Sequence, residues 1–145
     1  MRKDQLKFKM KVRGYKHHIL EGNMLAIDPG SNSLGWAWYV KGELVISGEY
    51  KATAGSAPHK RLNQIMEQLA VWTSPDILVI EELFSRCVHS LVWSVGAAIV
   101  TTKPKNMVEV PIRVWHDFRP LNYVKTDEID ALLIGKAAIY YASSF

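Results

Sequence analysis

The chain has one cysteine, Cys87, in 145 residues. That excludes a disulfide framework and a thiolate zinc site, and it fits a reducing cytoplasm. Its apolar stretches are all broken well short of the roughly 20 residues that cross a bilayer, so no membrane partner is expected. The basic N-terminal stretch lacks an apolar core and a small-residue cleavage pattern, so it does not read as a secretory signal. A mitochondrial presequence stays open, opposed by Asp4, Glu21 and the scarcity of serine. Internal repeats and low-complexity segments are missing as well. With 48% hydrophobic and 22% charged residues, the chain is too apolar for global disorder and has the size of one ordinary domain.

The charge is unevenly placed. Residues 1–23 carry seven Lys or Arg against two acids, a net +5, and the remainder eleven against twelve, a net −1. The sequence therefore divides into a basic N-terminal arm, 1–23, and a main domain, 24–145. Within the arm Lys7, Lys9, Lys11 and Arg13 alternate with Phe8, Met10 and Val12. Period-two alternation predicts a strand with one cationic and one apolar face, suited to a phosphate backbone. A solubilising tail is the alternative.

Further along, strands are expected at Met24–Asp28, Leu34–Val40 and Glu43–Tyr50, with a hairpin turn at Lys41-Gly42. An amphipathic helix follows over about 59–73, after a small-residue loop at Ala52–Pro58. Asp76–Glu81 reads as an unbroken apolar strand, of the kind found at the centre of parallel sheets. A charge-free helix at 88–102, a strand at Val108–Trp115 and a helix at Thr126–Tyr141 complete the order. The pattern βββ-α-β-α-β-α predicts an α/β fold, a mixed central sheet flanked by helices.

Four acids stand out against this frame. Asp28 and Glu81 end apolar strands, and Asp127 and Asp130 begin an apolar helix one turn apart, so they share a face. If the first and fourth strands are parallel neighbours, Asp28 and Glu81 meet at one sheet edge, where open α/β sheets place their sites. Each has a bland alternative. Asp28 also suits a turn through Gly30, Asp127 the positive end of a helix after a Thr126 cap, and Glu81 or Glu82 a solvated strand end. Jointly they describe one anionic pocket, because unpaired buried carboxylates are otherwise too costly to accumulate. Oxygen donors without Cys or paired inward His favour Mg²⁺, with Mn²⁺ as substitute. Two such ions roughly 3.5–4 Å apart activate a water and stabilise the leaving oxygen of a phosphodiester.

The motifs resemble those of a known family. Ile27-Asp28-Pro29-Gly30-Ser31 with Gly35-Trp36, then Val79-Ile80-Glu81-Glu82-Leu83-Phe84, then Thr126-Asp127-Glu128-Ile129-Asp130-Ala131-Leu132 are similar, in order and spacing, to RuvC-type Holliday junction resolvases of the RNase H-like nuclease superfamily. The likeness runs from about residue 24 to 140. It implies an RNase H-like fold with a five-stranded mixed sheet. Asp28, Glu81, Asp127 and Asp130 would be the catalytic, metal-binding acids for two Mg²⁺ ions per site. The activity would be paired hydrolysis of four-way (Holliday) junctions or other branched DNA by a homodimer. The helix at 88–102 matches the family's dimerisation element, and equally a core helix.

Phe84 matches an aromatic that wedges or stacks at the junction centre, or packs beneath a loop. The segment Pro111 to Arg119, with Trp115, looks like one in phage relatives that approaches DNA. It makes Arg113, Arg119 and Lys125 the cationic candidates near the scissile phosphate, beside Lys7, Lys9, Lys11 and Arg13 of the arm. One departure stands out: the Lys- and Gln-rich helix expected between Arg119 and Asp127 has no room in Leu121–Lys125. That removes DNA-contacting surface and with it the ground for expecting base-sequence preference. Such a trimmed protein suits a compact genome and the cytoplasm of a bacterial or phage-infected cell.

Three rivals compete. Actin-like and sugar-kinase ATPases share an Asp-x-Gly loop but need a duplicated domain over twice this length. A less selective RNase H-like nuclease, cutting flaps, forks or RNA–DNA hybrids, would carry the same acids. A non-catalytic junction-binding module would not need all four.

Overall fold

The computed structural model describes residues 1–30, 32–83 and 89–145. Five strands form one sheet: β1 (Asn23–Asp28), β2 (Ser33–Val40), β3 (Glu43–Lys51), β4 (Ile77–Glu81) and β5 (Met107–Val110). Their order across the sheet is β3-β2-β1-β4-β5. The β1–β2 and β2–β3 pairs are antiparallel, and β1–β4 and β4–β5 are parallel. The expected mixed sheet, with β1 beside a parallel β4, is therefore present. Both turn residues of the first hairpin, Lys41 and Gly42, have positive φ (51° and 77°), which matches the twist of the flanking strands.

Helices cover both faces. On one side lie α3 (Pro58–Leu69) and α4 (His89–Thr102); on the other lie α1 (Lys3–Arg13), α2 (Lys16–Leu20), α5 (Ile112–His116) and α6 (Asp127–Ala142). Strand alternation assigns residues to faces. Leu25, Ile27, Leu78 and Ile80 pack with Ile65 and Leu69 of α3. Met24, Ala26, Ile77 and Val79 pack with Ala131, Ile134 and Ala138 of α6. Continuing the same count by two carries Asp28 and Glu81 onto the α6 face. The two acids thus end the α6-facing rows of adjacent parallel strands, one residue beyond the Ile27–Ile80 pair.

The N-terminal arm corrects the strand expected of it: it is helical, and it is packed. Phe8, Val12 and Ile19 are fully buried against the α6 side of the core, with Tyr15 partly covered. These four follow helical spacing, i, i+4, i+7 and i+11. Met10, which a strand would bury beside Phe8 and Val12, is 56% exposed. The alternation of Lys with apolar residues was coincidental, and the four-residue step between Phe8 and Val12 carried the structure.

A second correction concerns Val108–Trp115. The strand stops at Val110, and Pro111 (φ −60°, ψ 143°) begins the short α5. Proline has no N–H to give a ladder and a φ already suited to a helix start, so the segment turns there. Among the described residues no helix is long and apolar enough to cross a membrane.

Candidate active site

Asp28, Glu81, Asp127 and Asp130 come together at one edge of the sheet. Thr126 caps α6, its hydroxyl accepting from the Ile129 N–H at 3.1 Å. That starts the helix with Asp127 and Asp130 on its first turn. The approach is made possible by Gly35, which pairs with Asp28 across β1–β2. A Cβ on Gly35 would lie 1.8 Å from the Asp127 carbonyl oxygen, so only glycine lets α6 descend this far. Lower down, Tyr39 packs under Gly135, where a Cβ would lie 2.5 Å from its ring, and its hydroxyl donates to the Leu132 carbonyl at 3.0 Å.

Among the described residues, each acid except Asp28 has its own side-chain donor. The Trp115 indole donates to Glu81 Oε2 at 3.0 Å. Ser33 Oγ donates to Asp127 Oδ2, and Tyr123 O–H donates to Asp130 Oδ1. Lys125 Nζ holds Asp130 Oδ2 at 3.2 Å. Asp130 is 1% exposed; its inward orientation is as expected from the helix face. Asp28 is left as the centre of repulsion. Burial, then Asp127, Asp130 and Glu81, push its carboxyl up to about 8, with Lys125 opposing. Glu81 is also raised, first by burial and then by Asp130, against the Trp115 bond.

In its chemistry the donor set suits a divalent cation: among the described residues the acids gathered at this edge offer hard oxygen donors, and the charge that burdens Asp28 is what a cation would neutralise. Among the described residues no group of three His, Cys, Asp or Glu side chains is placed to hold a metal ion. Glu81, Asp127 and Asp130 are instead turned toward Trp115, Ser33, Tyr123 and Lys125.

The cationic candidates divide into three groups. Lys125 and Arg119 flank the acids. The Arg119 guanidinium lies 5.3 Å from the Trp115 ring and 4.5 Å from the Tyr123 ring, so it spans the two side chains that hold Glu81 and Asp130. It also meets His116 Nε2 at 2.8 Å. Burial and then Arg119 hold that imidazole below its ordinary value, leaving it neutral and able to accept. A second group, Lys7, Lys11 and Arg113, lines a cleft of about 310 Å³ between α1 and α5 that includes Glu82, the neighbour of Glu81. The third group faces elsewhere: Lys9 and Arg13 sit over the Phe145 ring at 5.4 and 5.7 Å. The helix therefore splits the row of four expected of a strand into two pairs. Phe84 lies outside the described residues.

Trp115 does not offer a surface to DNA. It is 2% exposed and serves as the donor beneath Glu81. Ser33 and Tyr123 were not singled out from the sequence. Neither stands in a motif, though Tyr123 lies seven residues before Asp130, in the segment flagged as unusually short.

The same overall fold is found in solved structures. A Thermus thermophilus RuvC structure superposes with TM-score 0.66 at 16% identity, covering 84% of this chain and 96% of the other. T. thermophilus RuvC in complex with a Holliday junction substrate superposes with TM-score 0.64 at 15% identity, covering 84% and 95%. The chain has the RuvC fold. The five-stranded mixed sheet with helices on both faces is thus the RNase H-like architecture of RuvC. No protein-family model matches the sequence, and no curated protein matches it significantly.

Proposed function

We propose that the protein is a metal-dependent, structure-selective DNA endonuclease that resolves four-way junctions. The observation carrying this reading is Asp28: a half-buried carboxylate at a strand end, facing three further acids, in a chain of RuvC fold. Asp28, Glu81, Asp127 and Asp130 would hold two Mg²⁺ ions, with Mn²⁺ as substitute. When bound, such ions lower the pKa of an attacking water and stabilise the leaving oxygen of the phosphodiester.

The chain's own residues do the rest. Trp115, Ser33 and Tyr123 fix the carboxylates through hydrogen bonds and thereby keep their rotamers from collapsing onto other donors. Burial and then Asp130's hydrogen bond and charge hold the Tyr123 phenol above its ordinary value, so it stays a donor. Arg119 and Lys125 bring positive charge to the edge where a phosphate must approach the acids. The packed 1–23 arm adds the Lys7, Lys11 and Arg113 cleft beside the 24–145 nuclease domain. Pairing of two sites requires a homodimer. The outer face of α4, with Val92, Trp93 (66% exposed) and Val100, is the surface we assign to it.

The short link between Arg119 and Asp127 supports a second reading, a less selective nuclease acting on flaps, forks or RNA–DNA hybrids. Incubation with Mg²⁺ and a labelled four-way junction, beside duplex, flap and hybrid controls, separates the two. Symmetric paired nicks in the junction alone support resolution. Equal cutting of flaps or hybrids supports the second reading, and no cutting of any substrate removes both.

A further inference from the structure

We infer that a pocket beside Ser33, between Lys51 and Arg61, holds a backbone phosphate of the DNA strand that runs into the acid cluster. The inference rests on the nuclease reading for the identity of the strand, but on separate residues for the site. The small-residue loop after β3 is tied down by four bonds. The Ala52 N–H donates to the Asn32 carbonyl at 3.0 Å, and the Thr53 N–H to Gln64 Oε1 at 2.7 Å. Ser56 Oγ donates to the Thr53 carbonyl at 2.6 Å, and Arg61 Nη1 to the Ser56 carbonyl at 2.5 Å. The result is a cavity of about 450 Å³, walled by Asn32, Ser33, Lys51, Thr53 and Arg61 with Ala52, Ala54 and Gly55 between them. Among the described residues no acidic side chain lines it.

Arg61 Nε is buried and has no hydrogen-bond partner among the described residues. A buried, unmet donor on a permanent cation is destabilising until an acceptor arrives. The guanidinium fork is matched to phosphate oxygens. Lys51 adds a second cation at the mouth, held only loosely by Glu49 at 3.9 Å. Walls of Ala and Gly leave room for a strand backbone to come close. Ser33 belongs to both places, lining the pocket and donating to Asp127. A strand whose one phosphate lies at the acids would therefore run past Ser33 toward the pocket that Arg61 lines.

The test has two readouts on the full chain. The first is junction affinity against salt for wild type, Lys51→Gln, Arg61→Gln and Ala54→Glu, with Lys41→Gln in the distant hairpin turn as control. Each pocket substitution is expected to weaken binding, and the loss of Lys51 or Arg61 to flatten the slope of log affinity against log salt by about 0.9. The second is the Arg61 Nε–H resonance during titration with a thymidine tetranucleotide or with inorganic phosphate. A shift with the tetranucleotide at lower concentration than with phosphate is expected. Ala54→Glu leaves Arg61 in place, so the test holds even where Arg61→Gln fails to fold. Slopes equal to wild type in Lys51→Gln and Ala54→Glu, with no Arg61 shift, overturn the pocket while leaving junction nicking intact. Equal shifts with phosphate and tetranucleotide, with unchanged slopes, assign a free-anion site and overturn it too. Wild-type protein that neither binds nor nicks the junction overturns the nuclease reading instead, and the Arg61 resonance then decides the pocket alone.

Discussion

The Tyr123 hydroxyl donates to one oxygen of Asp130 while Lys125 Nζ holds the other at 3.2 Å. A carboxylate that is 1% exposed thus has both oxygens met from a single short loop. Tyr123→Phe leaves one of them without its donor, which typically costs about 1–3 kcal/mol. Urea denaturation should show that loss. Nicking should fall by roughly tenfold, about 1.4 kcal/mol in the barrier, as Asp130 gains freedom to turn. Unchanged stability and rate would mean the contact is incidental.

Asp28 gives the metal-free protein a definite pH dependence. Its carboxyl is raised to about 8 in the folded state from 3.8, so between these values the folded chain binds more protons than the unfolded one. Stability then falls as pH rises through that window, by no more than about 1.4 kcal/mol per pH unit from this group. Glu81, raised in the same direction, reinforces the trend. Thermal melts in chelator from pH 5 to 9 should show a declining midpoint, and Mg²⁺ should restore it most at the alkaline end. A midpoint that rises steadily toward pH 8 would contradict the crowding of charge at Asp28.

Asp28→Asn removes that charge while keeping the shape. In metal-free buffer at pH 8 the variant should melt above wild type, because the repulsion from Asp127, Asp130 and Glu81 is gone. Junction nicking should be abolished and junction binding kept, since the cations lie on other residues. A variant that still nicks at the wild-type rate would remove Asp28 from the metal-binding set.

Gly35→Ala tests how α6 is brought to the sheet. The new methyl would collide with the Asp127 carbonyl at 1.8 Å, and neither backbone can retreat without moving the helix start. Overpacking of this kind costs about 1–3 kcal/mol or more. Melting should show a loss of that size and Mg²⁺ stabilisation should weaken along with it. Gly14→Ala, at φ −69° with its nearest contact at an ordinary 3.7 Å, is the control.

The sheet and the acids were legible in the sequence for a physical reason: each rests on a local signal that tertiary packing had no cause to override. Alternation along β1 and β4 carries Asp28 and Glu81 to one face, and the i, i+3 step carries Asp127 and Asp130 to one side of α6. The arm is ambiguous in sequence because Lys7 to Arg13 satisfies both periodicities, and burial of Phe8, Val12 and Ile19 on the α6 side decides between them. Trp115 is ambiguous in sequence because an indole suits DNA and a buried carboxylate equally well, and the arrival of α5 beneath Glu81 selects the latter. Ser33 and Tyr123 act through contacts 94 and 7 residues away in sequence, and no motif encodes such pairings.

The helical arm changes what a truncation can test. Deleting residues 1–20 would uncover Phe8, Val12 and Ile19 from the core, so weakened binding would not report on charge. Charge must be removed in place. Lys7 and Lys11 stand one turn apart on the cleft side, and with Arg113 they face the neighbour of Glu81. Lys7→Gln with Lys11→Gln should weaken junction binding and flatten its salt slope by close to two phosphate contacts, about 1.8. Lys9→Gln with Arg13→Gln removes the same charge from the side that packs on Phe145. It should leave the slope near wild type and lower the melting point instead. Titrations of both double variants from 50 to 200 mM salt distinguish a phosphate track on one face of α1 from a diffuse effect of net charge, which would flatten both slopes equally.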